Sequence, residues 1–269
     1  MDKNVAEKYL RKVQLGEKVP YKNIVVHGTE IAEKFPKLPL PNRLFRIIED
    51  GYTTYICNMQ YVPLQIMVDE VLEKNTKDLQ RFLFFDTETN GLPLKYKAPA
   101  SDLDNWPRIV SIGWIVYDGH GKELKAIEYI AKPDGWAIPT QASDVHGITD
   151  AVAEKEGIPI AVILNEFSKD VQECQTLVAH NMSFDEKIVG AEFIRAGIED
   201  TTLTKSKVCT MLSTVDFCDL PGKFGKKWPT LTELHTKLFG VGFEDAHSAI
   251  ADIQATGECY WELRRLGEI

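Results

Sequence analysis

Paired cysteines are the first thing this chain lacks. Its 5 cysteines, Cys57, Cys174, Cys209, Cys218 and Cys259, are scattered, odd in number and never spaced as C-x-x-C. That argues against a disulfide framework or a cysteine-rich zinc site and fits reduced, packed thiols. No run approaches the roughly 18 uninterrupted apolar residues that a membrane span needs. The opening stretch, "MDKNVAEKYLRKV", carries charges every few positions and no apolar core, so no secretory signal is read there. Low-complexity tracts and repeats with periods of about 20–50 residues are absent as well. The expectation is a soluble, cytoplasmic protein with no membrane partner.

A broad basic surface is also missing. Residues 1–80 hold 12 Lys+Arg against 11 Asp+Glu, while residues 81–269 hold 19 against 29, and the whole chain carries -9. An acidic body argues against a protein that coats duplex nucleic acid non-specifically. It leaves room for one that grips a short strand end through local contacts.

What is present suffices for one sizeable core and a smaller appendage: 269 residues, 44% of them hydrophobic. Residues 3–14 and 23–35 have helical spacing, "FPKLPLPN" is a proline-rich break, and the runs around Asp50-Gly51 read as a β-hairpin. Residues 64–73 are helical in pattern and 74–78 form a polar connector. These predict an N-terminal α+β module over 1–78, of unknown role, and a second domain over 79–269. In the second, "RFLFFDT", 108–118 and 124–133 read as strands, with "DGHG" turning between the last two. A helix follows around 161–173, then a buried strand over 176–180, a helix from the following "FDEK", and a final helix from about Ser248 to Leu266. Antiparallel strands followed by alternating strands and helices predict an α/β fold, a mixed sheet flanked by helices.

The most informative stretch is "FLFFDTETNG", a strand that ends in carboxylates. Strand alternation puts Asp86 and Glu88 on one face, where two like charges are costly without a partner. "AHNMSFDEK" is the second such place, with Ser183 as a candidate helix cap and Asp185 in the first turn. The third is "EDAHSAIADIQAT", where Asp252 lies beside a core-facing stripe of Ala249, Ile250 and Ile253. Singly, each has an ordinary structural reading: solvated acids at a strand end, an acid favoured by the helix dipole, a polar residue before a helix. "DTET" also resembles the opening of an aspartyl-phosphate phosphatase loop, but Glu88 stands where that loop has a second Asp.

Together, "FDTETNG", "HNMSFD" and "HSAIAD" resemble the three motifs of the DnaQ-like 3′-5′ exonucleases of the DEDDh group, which includes the proofreading epsilon-subunit family. "VHGIT" and "KKWPTLTELHTKLFG" resemble the segments between them, so the likeness covers about residues 81–265. His247 stands five before Asp252, and Ser248 occupies the place where the sister group has Tyr. The resemblance implies a ribonuclease H-like, mixed five-stranded sheet. It also implies that Asp86, Glu88, Asp185 and Asp252 bind two Mg2+ or Mn2+ ions, with Asp86 bridging and His247 as general base. Hard oxygen ligands select such ions, and two of them about 4 Å apart can clamp both reacting oxygens of a phosphodiester. The expected reaction releases nucleoside 5′-monophosphates from a 3′ end.

Thr89, Leu92, His146, Asn181 and Phe184 match positions near the bound strand end, although His146 reads equally well as a turn-packing residue. "LKYKAP" and "GKFGKKWP" mix basic and aromatic residues in a way that suits single-strand binding. Solvated lysines are the plainer reading, and packing at a helix start is preferred for Trp228. The expected partner is a single-stranded nucleic-acid 3′ end, with a DNA polymerase or repair complex as a further candidate. Monomer and homodimer stay open, as do DNA and RNA. An RNA-trimming enzyme and a catalytically silent nucleic-acid adaptor are the alternatives, although no motif acid is missing.

Overall fold

A computed structural model describes residues 28–30, 45–49 and 52–56 as backbone, and residues 80–243 and 249–269 in full. The chain divides into two compact units, Met1–Lys77 and Asp78–Ile269.

In the first unit, β1 (Gly28–Glu30), β2 (Phe45–Glu49) and β3 (Tyr52–Ile56) form an antiparallel sheet in that order. Glu49 pairs with Tyr52, so the hairpin expected around Asp50-Gly51 forms. The helix expected over 23–35 does not hold at 28–30, where pairing to β2 makes a strand. β-Branched residues and Gly28 weaken helical spacing there. The helices expected at 3–14 and 64–73 lie outside the described residues.

The second unit is built on β4 (Arg81–Thr89), β5 (Ile109–Asp118), β6 (Glu123–Ile130), β7 (Thr176–Ala179) and β8 (Ser206–Cys209), in the order β6-β5-β4-β7-β8. The first three are antiparallel, and β7 and β8 run parallel to β4. Asp118 closes the β5–β6 turn by accepting from the N–H groups of His120 and Lys122. Between β6 and β7 come α1 (Thr140–His146), α2 (Asp150–Glu156) and α3 (Ile160–Glu173). The parallel β7–β8 connection needs a crossover, and α4 (Met182–Ala196) supplies it. After β8 come α5 (Thr210–Ser213), α6 (Val215–Cys218), a small hairpin of β9 (Pro221–Gly222) and β10 (Gly225–Lys226), α7 (Leu231–Phe239) and α8 (Ala249–Leu266).

Alternation along β4 sorts its side chains into two cores. Leu83 and Phe85 face Ile163, Leu164 and Phe167 of α3 and Ile188, Val189 and Phe193 of α4. Phe82 and Phe84 face Ile253 and Tyr260 of α8, with Ile115, Tyr117 and Val178. Phe84 meets the Tyr117 and Tyr260 rings edge-on, with centroids 5.0 and 5.2 Å away. Asp86 and Glu88 continue the α8 face beyond this apolar packing. Gly113 lies opposite Asp86, and a Cβ there would stand 2.8 Å from Ile253 Cδ1. The missing side chain lets α8 settle against the sheet and carry Asp252 towards β4.

Candidate active site

Three elements bring the acids together. β4 supplies Asp86 and Glu88, α8 supplies Asp252, and a carboxylate oxygen from each lies within 4.8 Å of the others. Asp185 arrives from the first turn of α4 and is buried. Its Oδ1 accepts from Thr87 N at 3.1 Å and Thr87 Oγ1 at 2.8 Å, which ties α4 across the end of β4. The turn that aims α4 is made by Asn181, left-handed at φ 72, a conformation Asn tolerates better than most residues. The helix therefore starts at Met182 with Asn181 as its cap residue. Ser183, expected to cap it, lies inside the first turn.

Electrostatics mark the cluster as unfinished. Burial first, then the charges of Asp185, Glu88 and Asp252, hold the Asp86 carboxyl well above its ordinary range. Burial, then Asp252, Asp185 and Glu128, lift Glu88 to about 8. Asp185 is pushed to about 7 by burial, against the hydrogen bonds from Thr87. Such carboxyls keep protons unless cations replace them. Ser111 sits opposite Glu88 on β5, and its buried hydroxyl has no hydrogen-bond partner among the described residues. All-oxygen donors, mutual repulsion and an orphaned hydroxyl fit Mg2+ or Mn2+ held by Asp86, Glu88 and Asp252, with Asp185 beside them.

A cavity of about 570 Å³ opens beside Glu88. Thr89, Leu92, His146 and Phe184 line it, together with Thr87, Asn90, Gly91, Pro139 and residues of α1. Of the five expected substrate contacts, Asn181 alone is not in its wall. His146 ends α1, and its Nδ1 accepts from Ile148 N at 3.1 Å. Its Nε2 is buried and makes no hydrogen bond of close geometry among the described residues; burial lowers the ring's pKa, against the raising effect of the Thr89 backbone. His247 lies outside the described residues.

Sequence reasoning missed three supports. Thr87, between the two acids, carries no motif signal of its own, although strand alternation puts it on the face opposite theirs. Asn90 clamps the turn after β4, accepting from Arg108 N at 2.8 Å and donating to Ala137 O at 3.1 Å. His180 joins Thr210 Oγ1 at 3.0 Å and Pro229 O at 3.1 Å, and burial depresses its pKa to about 4. Trp228 does not pack at the start of α7; it is 64% exposed.

A family model, RNase_T, described as Exonuclease, matches residues 83–260. DNA polymerase III PolC-type of Listeria innocua is 28% identical over 182 residues, covering 68% of this chain and 11% of that protein. The protein of the same name from Pediococcus pentosaceus is 26% identical over 190 residues, with the same two shares. The chain thus spans a small part of the length of the curated relatives it matches. Among solved structures, E. coli exonuclease I in complex with a dT13 oligonucleotide has a TM-score of 0.56 at 20% identity, covering 70% of this chain and 43% of that one. A moderately thermophilic exonuclease I from Methylocaldum szegediense gives 0.55 at 19%, covering 69% and 40%. At that identity the likeness speaks to the fold alone, a mixed five-stranded sheet flanked by helices. Among the described residues, no helix is long and apolar enough to cross a membrane.

Proposed function

The chain belongs to the RNase_T exonuclease family, and from that premise we propose that it is a metal-dependent 3′-5′ exonuclease acting on single-stranded 3′ ends. Residues 79–269 form the nuclease domain in this reading, and residues 1–78 form an accessory module. The observation that carries it is the cluster of Asp86, Glu88 and Asp252 oxygens within 4.8 Å of one another, beside a cavity of nucleotide size.

Asp86, Glu88 and Asp252 would hold the divalent ions, two in number, with Asp185 supporting them through the oxygen that Thr87 leaves open. Bound there, Mg2+ or Mn2+ supplies an activated water and offsets charge on the scissile phosphate. The chain's own residues do the rest. Leu92 and Phe184 offer apolar walls to the terminal base, while Thr89 and the His146 ring offer polar contacts to the sugar and phosphate. His247 takes a proton from the attacking water, a role suited to an imidazole near neutral pH. The PolC-type polymerases and the oligonucleotide-bound exonuclease I among the relatives support DNA as the substrate and a polymerase or repair complex as the setting.

The test uses 5′-labelled single-stranded DNA and RNA of one sequence, each with Mg2+, Mn2+ or chelator, and the Asp86→Ala variant. A metal-dependent ladder shortening from the 3′ end of DNA, absent in the variant, is the expected result. Shortening of RNA alone would replace this reading with RNA trimming. Binding without cleavage in either metal would leave a silent adaptor.

A further inference from the structure

The segment "GKFGKKWP" folds as the β9–β10 hairpin, with Pro221 paired to Lys226 and Gly222 to Gly225. Glycine makes the turn possible. Gly225 has φ +115, and a Cβ on Gly222 would stand 3.0 Å from Gly225 O. Phe224 is left at the tip, 93% exposed, with Lys223 Nζ 5.3 Å from its ring centre. The base, by contrast, is tied down. Lys226 Nζ bridges Asp216 at 3.0 Å and Asp219 at 2.9 Å, Lys227 N donates to Leu220 O at 3.0 Å, and Lys227 Nζ meets Glu233. Two of the three lysines are therefore neutralised in place, while Lys223 makes no ion pair among the described residues. The result is an anchored element that holds Phe224, Trp228 and one open cation out of the core.

Its root lies beside the acids. His180, one residue past the end of β7, holds Pro229 O, the carbonyl next to Trp228. Phe84 pairs with Val178 in the parallel β4–β7 ladder, so two residues further on Asp86 and His180 are at the same level. Adjacent strands are about 4.8 Å apart. The cavity lies on the other flank, where Ala142, in its α1 wall, packs in one cluster with Val110 of β5 and Ile130 of β6. Across the strand order, then, come cavity, carboxylates and hairpin.

We propose that this hairpin and Trp228 are a docking surface for single-stranded nucleic acid, gripping the nucleotides upstream of the scissile bond. The inference rests on the nuclease reading above. With the 3′-terminal nucleotide in the cavity and its phosphate at the acids, the remaining strand leads away over the β7–β8 side. There Phe224 and Trp228 stack on bases and Lys223 meets a phosphate. Stacking on aromatic rings tolerates any sequence, as an enzyme that shortens strands stepwise requires. A mostly neutralised base with a single open lysine gives a grip weak enough to slide along.

The test compares the full chain with its Phe224→Ala/Trp228→Ala double variant, both side chains being exposed enough to truncate without unfolding. Each is assayed on a single strand of about 12 nucleotides and on a dinucleotide too short to reach the hairpin. KM for the longer strand should rise about tenfold or more, with kcat little changed and the dinucleotide affected less than about twofold. An unchanged ratio between the two substrates would overturn the proposal. If the wild type cleaves neither substrate, the nuclease reading falls. Fluorescence anisotropy of the labelled strand in Ca2+ then decides the hairpin alone. Weaker binding by the variant supports it, and equal binding refutes it and leaves the patch to a protein partner.

Discussion

Removing the Glu88 charge should stabilise the metal-free protein at alkaline pH. Burial and its acidic neighbours raise this carboxyl from 4.5 to about 8. A folded-state pKa above the unfolded one means that the native state keeps a proton the unfolded chain has released. The stabilisation is complete below about pH 4.5 and is lost as pH rises through about 8. The shift of about 3.5 pH units, at 1.36 kcal/mol each, sets a ceiling of about 5 kcal/mol. Relaxation and water entry at a half-buried site bring the expected difference to about 2–5 kcal/mol, or about 5–15 °C in Tm for a domain of this size. The assay is thermal unfolding of wild type and Glu88→Gln in chelator at about pH 5, 7 and 9, repeated with Mg2+. Near pH 5 the two should lie close together, and by about pH 9 the variant should be the more stable. Mg2+ should then restore the wild type far more than the variant. A constant gap between the two proteins from about pH 5 to 9 would refute the account of the cluster as strained by its own charge.

Thr87→Val removes one of the two donors that favour the charged form of Asp185 while keeping the backbone one. It should cost about 1–2 kcal/mol of stability and move Mn2+ binding, followed by calorimetry, to higher pH; unchanged binding at every pH would count against the Thr87–Asp185 tie. Glu192 is buried and accepts from Arg108 Nε at 2.7 Å and Arg195 Nη1 at 2.9 Å. Glu192→Ala leaves both guanidinium groups without their buried partner and should cost about 3–5 kcal/mol in urea unfolding, and a loss below about 1 kcal/mol would show that the network is dispensable. His247→Ala should keep metal binding and lose most turnover, with wild-type activity rising as the imidazole deprotonates; lost metal binding would make it a ligand or a structural residue instead.

Much of the site was legible along the chain. Asp86 and Glu88 share a face because strands alternate, and Asp252 stands beside the stripe of Ala249 and Ile253 because helices repeat every 3.6 residues. Partners far apart in sequence were not legible. The tie between Thr87 and Asp185 spans 98 positions and that between His180 and Pro229 spans 49, and no local pattern announces either. β8, "SKVC", is too short and polar to stand out, and it is a strand because β7 offers it a parallel ladder. Trp228 had the composition of a packing residue, and only the anchored hairpin before it shows that its ring stays outside.

By itself, then, the sequence determined which acids exist, which faces they take and the order in which they enter the fold. Alternation, helical repeat and the cost of unpaired charge are local rules that each segment carries with it. The tertiary structure alone decided that three of those acids meet within 4.8 Å, that one oxygen of Asp185 is already engaged, and that a cavity and an aromatic hairpin flank them. Those facts depend on the strand order and on how closely α8 approaches the sheet over Gly113. Such distances are set by packing between segments, and no single segment encodes them.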